Sequence, residues 1–183
     1  MSRVRPALLI IDMQQGSFTP RTSRHDADGL VERLNALAAK TRAREGLVIF
    51  IHHDGPEGDA HHPSAPGWRL LPDLVVDPRD TTVRKTSCDA FLHTELDRVV
   101  KDQRIGELII TGCATDFCVD TTVRSALARG YRTAVPSDGH TTADRPHLKA
   151  TQIIAHHNAI WADFISPAGA ARICPCSDVF RAS

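Results

Sequence analysis

Four short apolar runs, Ala7–Ile11, Leu47–Ile51, Glu107–Thr111 and Tyr131–Val135, recur along the chain, each closed by polar or turn residues. Most are continuously apolar instead of alternating, the pattern of strands buried on both faces. Two weaker segments of the same kind are Thr81–Arg84 and Ala171–Cys174. Between the strands lie stretches with helical spacing. Asp28–Arg44 sets Leu30, Leu34, Leu37 and Ala38 on one face and is ended by Gly46. Thr94–Arg104 opens on Thr94 with Asp97 three residues on, close to a capping box. Phe117–Arg129 runs to Gly130, a residue suited to a helix C-cap. Arg145–Ala162 follows Asp144 as N-cap, with Pro146 in the first turn.

Strands buried on both faces and alternating with helices predict an α/β fold, a three-layer doubly wound sandwich with helices on both faces of a parallel sheet. The 183 residues suit one domain, so residues 1–183 are read as a single unit, with no internal repeat. Charge is balanced at 22 basic and 22 acidic residues, which favours neither nucleic acid nor a membrane surface as partner. No apolar run approaches the roughly 18 residues of a membrane span. The run after Met1–Pro6 is also too short for a signal-peptide core, so a cytoplasmic protein is expected. Five cysteines, an odd number, argue for reduced thiols over a disulfide framework.

In open α/β sheets ligands sit beyond the carboxyl ends of the strands. Those ends deliver Asp12 followed by Met13 and Gln14, then His52, His53 and Asp54, then Lys85. The next leads through Gly112-Cys113-Ala114-Thr115 to Asp116, Phe117 and Cys118, and the last delivers Asp138 and His140. A carboxylate, an amine and a thiol thus fall at one rim. Cys118 lies near a helix start, where the dipole and Lys85 are expected to lower its pKa and stabilise a thiolate. Asp12 is placed to accept the thiol proton and return it to a leaving amine. Cys118 is therefore expected to be alkylated fastest of the five cysteines. Candidate substrate contacts are Gln14 and His53 at the rim and Asp116 and Phe117 beside the thiol. Trp68 joins them from the long segment Asp54–Asp80, which holds 5 of the 11 prolines. No glycine-rich nucleotide-binding motif follows any strand.

Three ordered blocks carry a resemblance: LLIIDMQ (Leu8–Gln14), VRKTSCDAF (Val83–Phe91) and IITGCATDFCVDTTVRSALARGY (Ile109–Tyr131). They resemble the isochorismatase-like cysteine hydrolases, which include nicotinamidases, N-carbamoyl amidohydrolases, ureidoacrylate and biuret-type hydrolases, and streptothricin hydrolase. The resemblance implies a six-stranded sheet in the order 3-2-1-4-5-6 and a triad of Asp12, Lys85 and Cys118. It also implies a cis peptide at Ala114–Thr115 that turns amides near Thr115 and Cys118 toward a substrate oxygen. The implied chemistry is cleavage of a small amide-type or ureido molecule through a thioester on Cys118, with no cofactor, in a homodimer or homotetramer. The nicotinamidase metal motif, Asp-x-His, is replaced by His53 and Gly55, so no metal is expected. His53, Asp54, His61 and His62 remain a donor set for the alternative of a metal-assisted, nicotinamidase-like deamidase. True isochorismatases cleave a vinyl ether and lack the cysteine, which favours C–N cleavage here. A non-catalytic binding member of the fold is the other alternative, and the intact triad weighs against it. Cys88 and Cys113 are read as packing residues, as are Cys174 and Cys176, because no second Cys or His pair stands at zinc spacing.

Overall fold

The computed structural model describes residues 4–19 and 23–181; Met1–Arg3, part of the segment considered as a leader, lie outside them. Strand β1 (Pro6–Ile11) leads to α1 (Ala27–Arg42), β2 (Leu47–His53), β3 (Thr81–Lys85) and α2 (Leu96–Asp102). Then come β4 (Glu107–Cys113), a π-helical turn (Thr115–Val119) continuous with α3 (Asp120–Ala128), and β5 (Thr133–Pro136). The chain finishes with β6 (His140–Thr141), α4 (Ala150–Ala162) and β7 (Arg172–Cys174). The sheet runs β3-β2-β1-β4-β5-β7, every pairing parallel. The order is the expected one with an addition. The two-residue β6, hidden between Asp138 and Thr142 in a polar stretch without apolar periodicity, pairs with the end of β4. The expected sixth strand is therefore the seventh.

Alternation along β1 distributes its side chains between two cores. Ala7, Leu9 and Ile11 join Ile49, Ile51 and Ile110 under α2, α3 and the fully buried Trp161 of α4. Leu8 and Ile10 join Val48, Phe50 and Ile109 under Leu30, Leu34 and Leu37 of α1. A central strand buried on both faces is the physical reason for its unbroken apolar sequence, each large side chain contributing roughly 1.5–3 kcal/mol.

Helix ends differ from the sequence expectation where side chains have better partners. Glu45 takes the left-handed conformation (φ 57) after α1, and the Gly46 amide returns to Thr41 O. Arg104 does the same after α2 (φ 52), whereas Gly130 ends α3 at φ 80 as expected. At α4 the helix begins at Ala150, not Arg145. Asp144 does cap it, but from six residues back, its Oδ1 accepting the Ala150 N–H at 2.9 Å. Arg145 is turned away to pair with Asp116.

Candidate active site

The carboxyl ends of β1, β3 and β4 bring the three reactive side chains together. Asp12 follows β1 in the left-handed region (φ 48), fixed by its N–H to Ile51 O at 2.9 Å. The preceding residue, Ile11, pairs across the sheet with Gly112 (φ 116), where a Cβ would stand 2.2 Å from Ile11 O. Only glycine allows that approach. Lys85 ends β3 with a fully buried side chain. Its Nζ donates to Asp12 Oδ2 at 2.7 Å, to Ser87 O at 3.0 Å and to Cys118 Sγ at 3.3 Å, so all three N–H groups are used. Asp12 Oδ1 is buried and has no hydrogen-bond partner among the described residues.

The electrostatic balance departs from the expectation of a pre-formed thiolate. Burial and then the Asp12 charge push the Cys118 thiol well above the ordinary cysteine range, and Lys85 offsets only part of this. A resting thiol with a carboxylate beside it is the result. Burial works against the Lys85 charge, but Asp12 and the Cys118 sulfur outweigh it and hold the lysine above its usual value. The lysine is thus held as an ammonium, and the thiol beside it is neutral.

The peptide preceding the nucleophile turn is cis at Cys113–Ala114, one bond earlier than expected. The Ala114 carbonyl accepts the Phe117 and Val119 N–H groups at 3.0 and 3.1 Å, closing the π-helical turn that carries Cys118. Behind it, Thr115 is fully buried and its Oγ1 lies 2.9 Å from His140 Nδ1. His140 Nε2 lies 3.0 Å from Asn158 Oδ1, and Asn158 Nδ2 donates to Ser137 O. Because the amide nitrogen must face the Ser137 carbonyl, Oδ1 faces the imidazole, so Nε2 carries the proton and Nδ1 accepts from Thr115. Burial lowers the His140 pKa to about 4, consistent with this neutral tautomer. His140 therefore sits in the second layer behind the rim, while Asp138 accepts the Cys176 N–H and faces Arg33.

A cavity of about 290 Å3 opens over Asp12 and Cys118. His53 and Phe117 line it; Gln14, Trp68 and Asp116 lie off its wall. Gln14 is buried and staples the loop, giving its Nε2 to His53 O and Trp68 O and accepting the His53 N–H. Trp68 packs edge-on against His52 and donates Nε1 to Asp54 Oδ1 at 2.7 Å. Asp116 holds the Arg145 guanidinium with both oxygens and takes the Thr142 hydroxyl. Cys88, read as a packing residue, is exposed and lines the cavity, whereas Cys113 is buried and its thiol is pushed up to about 12. Arg24, Ser17, Asp59 and Arg145 also line it. Ser17 ends a three-residue 3-10 turn and Arg24 and Asp59 sit in loops, none with a periodic signal in the sequence, and Arg145 reads as a helix residue from the chain alone.

Three of the four candidate metal donors have other partners. Asp54 is committed to Trp68 and to Arg84 at 2.7 Å. His61 spans Asp59 and Ser17, and His62 bonds Ser64. Among the described residues no group of three His, Cys, Asp or Glu side chains converges at metal-binding geometry. Among them, too, no helix is long and apolar enough to cross a membrane.

Known proteins are similar to this chain in sequence and fold. A streptothricin hydrolase of Streptomyces noursei is 36% identical over 145 residues, 78% of this chain and 58% of that relative. The chain thus spans under two thirds of that protein. A ureidoacrylate amidohydrolase of Caulobacter vibrioides is 24% identical over 168 residues, 72% of this chain and 71% of its own. The crystal structure of an isochorismatase family protein superposes with a TM-score of 0.84 at 33% identity, covering 92% of this chain and 96% of that one. The isochorismatase domain model matches residues 6–164, the whole stretch that builds β1 through α4 and carries Asp12, Lys85 and Cys118. With fold order, sequence and matched span in agreement, the chain belongs to the isochorismatase family.

Proposed function

We propose that the chain is a cysteine hydrolase that cleaves an amide-type or ureido C–N bond of a small molecule. The observation that carries this reading is the Lys85 ammonium, bonded at once to Asp12 and to Cys118 at the base of the cavity. Cys118 Sγ attacks the carbonyl carbon as its proton passes to Asp12 Oδ1, the oxygen left without a partner. Because the thiol is held protonated, this transfer accompanies the attack. The carbonyl oxygen becomes an oxyanion facing the backbone N–H groups at Thr115 and Cys118. Collapse breaks the C–N bond, and Asp12 delivers the proton to the departing nitrogen. Water then adds to the thioester, giving a proton to Asp12. The C–S bond breaks, the acid leaves, and the sulfur recovers its proton. Lys85 holds Asp12 Oδ2 in place and stabilises negative charge on sulfur. The names of the two enzyme relatives, a streptothricin hydrolase and a ureidoacrylate amidohydrolase, support hydrolysis as the reaction class.

The test is ammonia or amine release from nicotinamide, biuret, N-carbamoyl amino acids, ureidoacrylate and cyclic-amide antibiotics, with Cys118→Ala as control. Release that disappears in Cys118→Ala, with an acyl adduct on Cys118 in quenched wild type, is the expected result. Turnover that persists without the thiol refutes the mechanism.

A further inference from the structure

Among the described residues, one guanidinium at the cavity has no ion-pair partner. Asp12 is paired with Lys85 at 2.7 Å and Arg145 with Asp116 at 2.8 Å, and Asp59 Oδ1 faces the His61 ring at 3.1 Å. Arg24 borders the same cavity, half-buried, and among the described residues its guanidinium makes one bond, from Nε to Ser17 O at 2.9 Å. Among the described residues no carboxylate lies within ion-pair distance of it. Arg24 is nonetheless held in place. Its backbone bridges to Ala143, the His25 N–H donates to Thr142 O, and the Thr141 hydroxyl donates to His25 O. This docks it beside the segment that carries Arg145, whose guanidinium lies 5.0 Å from the centre of the Phe117 ring. A fixed, partly desolvated guanidinium without a counterion costs free energy that a planar anion recovers through two parallel charge-assisted bonds.

We propose that Arg24 receives a carboxylate of the substrate, so that the molecule cleaved is an anionic amide or ureide, its scissile carbonyl over Cys118 and its carboxylate on Arg24. This rests on the hydrolase reading for the scissile end only. Arg145, already neutralised by Asp116, supplies with Phe117 the wall along which the substrate lies. The mouth of the cavity then selects by charge while the triad acts on the bond.

Binding is measured by titration calorimetry on the Cys118→Ala protein at low salt, with N-carbamoylglycine and its uncharged counterpart N-carbamoylglycinamide. The acid is expected to bind on the order of 10- to 100-fold tighter, the range of a charge-assisted contact. Arg24→Gln erases the preference and Arg24→Lys keeps part of it, with an unchanged melting temperature showing that both variants fold. Equal affinities, a preference that survives Arg24→Gln, or no binding of the acid at millimolar concentration overturns the proposal. Since the nucleophile is absent, these results do not depend on turnover. The hydrolase reading fails separately, on Cys118-dependent amine release.

Discussion

Replacing Lys85 by Met keeps most of the aliphatic stem and deletes the charge that joins three groups. Nζ is 2.7 Å from Asp12 Oδ2, and at an effective dielectric of about 20 that separation corresponds to roughly 6 kcal/mol of attraction. Part is offset by the cost of burying the ammonium, and removing one partner of a buried pair typically costs about 3–5 kcal/mol. Here the upper end is expected, because Asp12 Oδ1 already has no partner and Oδ2 then loses the lysine. Lys85→Met is therefore expected to lower the unfolding free energy at pH 7.5 by about 4–5 kcal/mol. With a urea slope near 2 kcal/mol/M this moves the midpoint down by about 2 M. Adding Asp12→Asn removes the stranded carboxylate. The double variant should then be more stable than Lys85→Met alone, with a coupling energy of about 2 kcal/mol or more. Urea titrations followed by circular dichroism on the wild type and three variants supply all four corners. A Lys85→Met protein within about 1 kcal/mol of wild type, or costs that simply add, would show that the pair does not hold the site as described.

Asp12→Asn separates thiol activation from proton transfer. Removing the negative charge that helps keep Cys118 protonated should speed its alkylation by iodoacetamide at neutral pH while abolishing hydrolysis; slower alkylation refutes the charge balance. His140 is buried neutral with a pKa lowered to about 4, so the folded chain binds this proton less readily than the unfolded one. Its contribution is complete above about pH 6.5 and is lost as pH falls toward 4, about 3 kcal/mol in total. His140→Gln should flatten that part of the stability–pH curve, and an unchanged slope counts against it. Trp68→Phe, which loses the Asp54 bond outside the cavity, should cost about 1 kcal/mol of stability and leave KM unchanged. A raised KM would place Trp68 in contact with substrate after all.

The parts of the site visible in the sequence are those that depend on chain order. Asp12, Lys85 and Cys118 each follow a strand, and right-handed crossovers between parallel strands leave one rim for all three. Residues placed by long-range contacts are silent. Gln14 faces backbone 39 and 54 positions away instead of the cavity. Arg24 borders it only because residues 24 and 25 dock on 141–143. The state of the Cys118 thiol is silent for a related reason. A helix start and a nearby lysine argue for a thiolate, but burial is a property of the packed interior and here outweighs both.

Thr115 shows how far such non-local placement reaches into the chemistry. In the fold, Ser137 O orients the Asn158 amide, Asn158 fixes the His140 tautomer, and His140 Nδ1 takes the Thr115 hydroxyl proton. With its O–H spent behind the site, Thr115 has no side-chain donor left for an oxyanion, and that task falls to the backbone N–H groups of the turn. Thr115→Val would then preserve the backbone donors while stranding His140 Nδ1, so it should lower stability by about 1–3 kcal/mol and kcat only modestly. Thr115→Ser, which keeps the bond, should restore the stability.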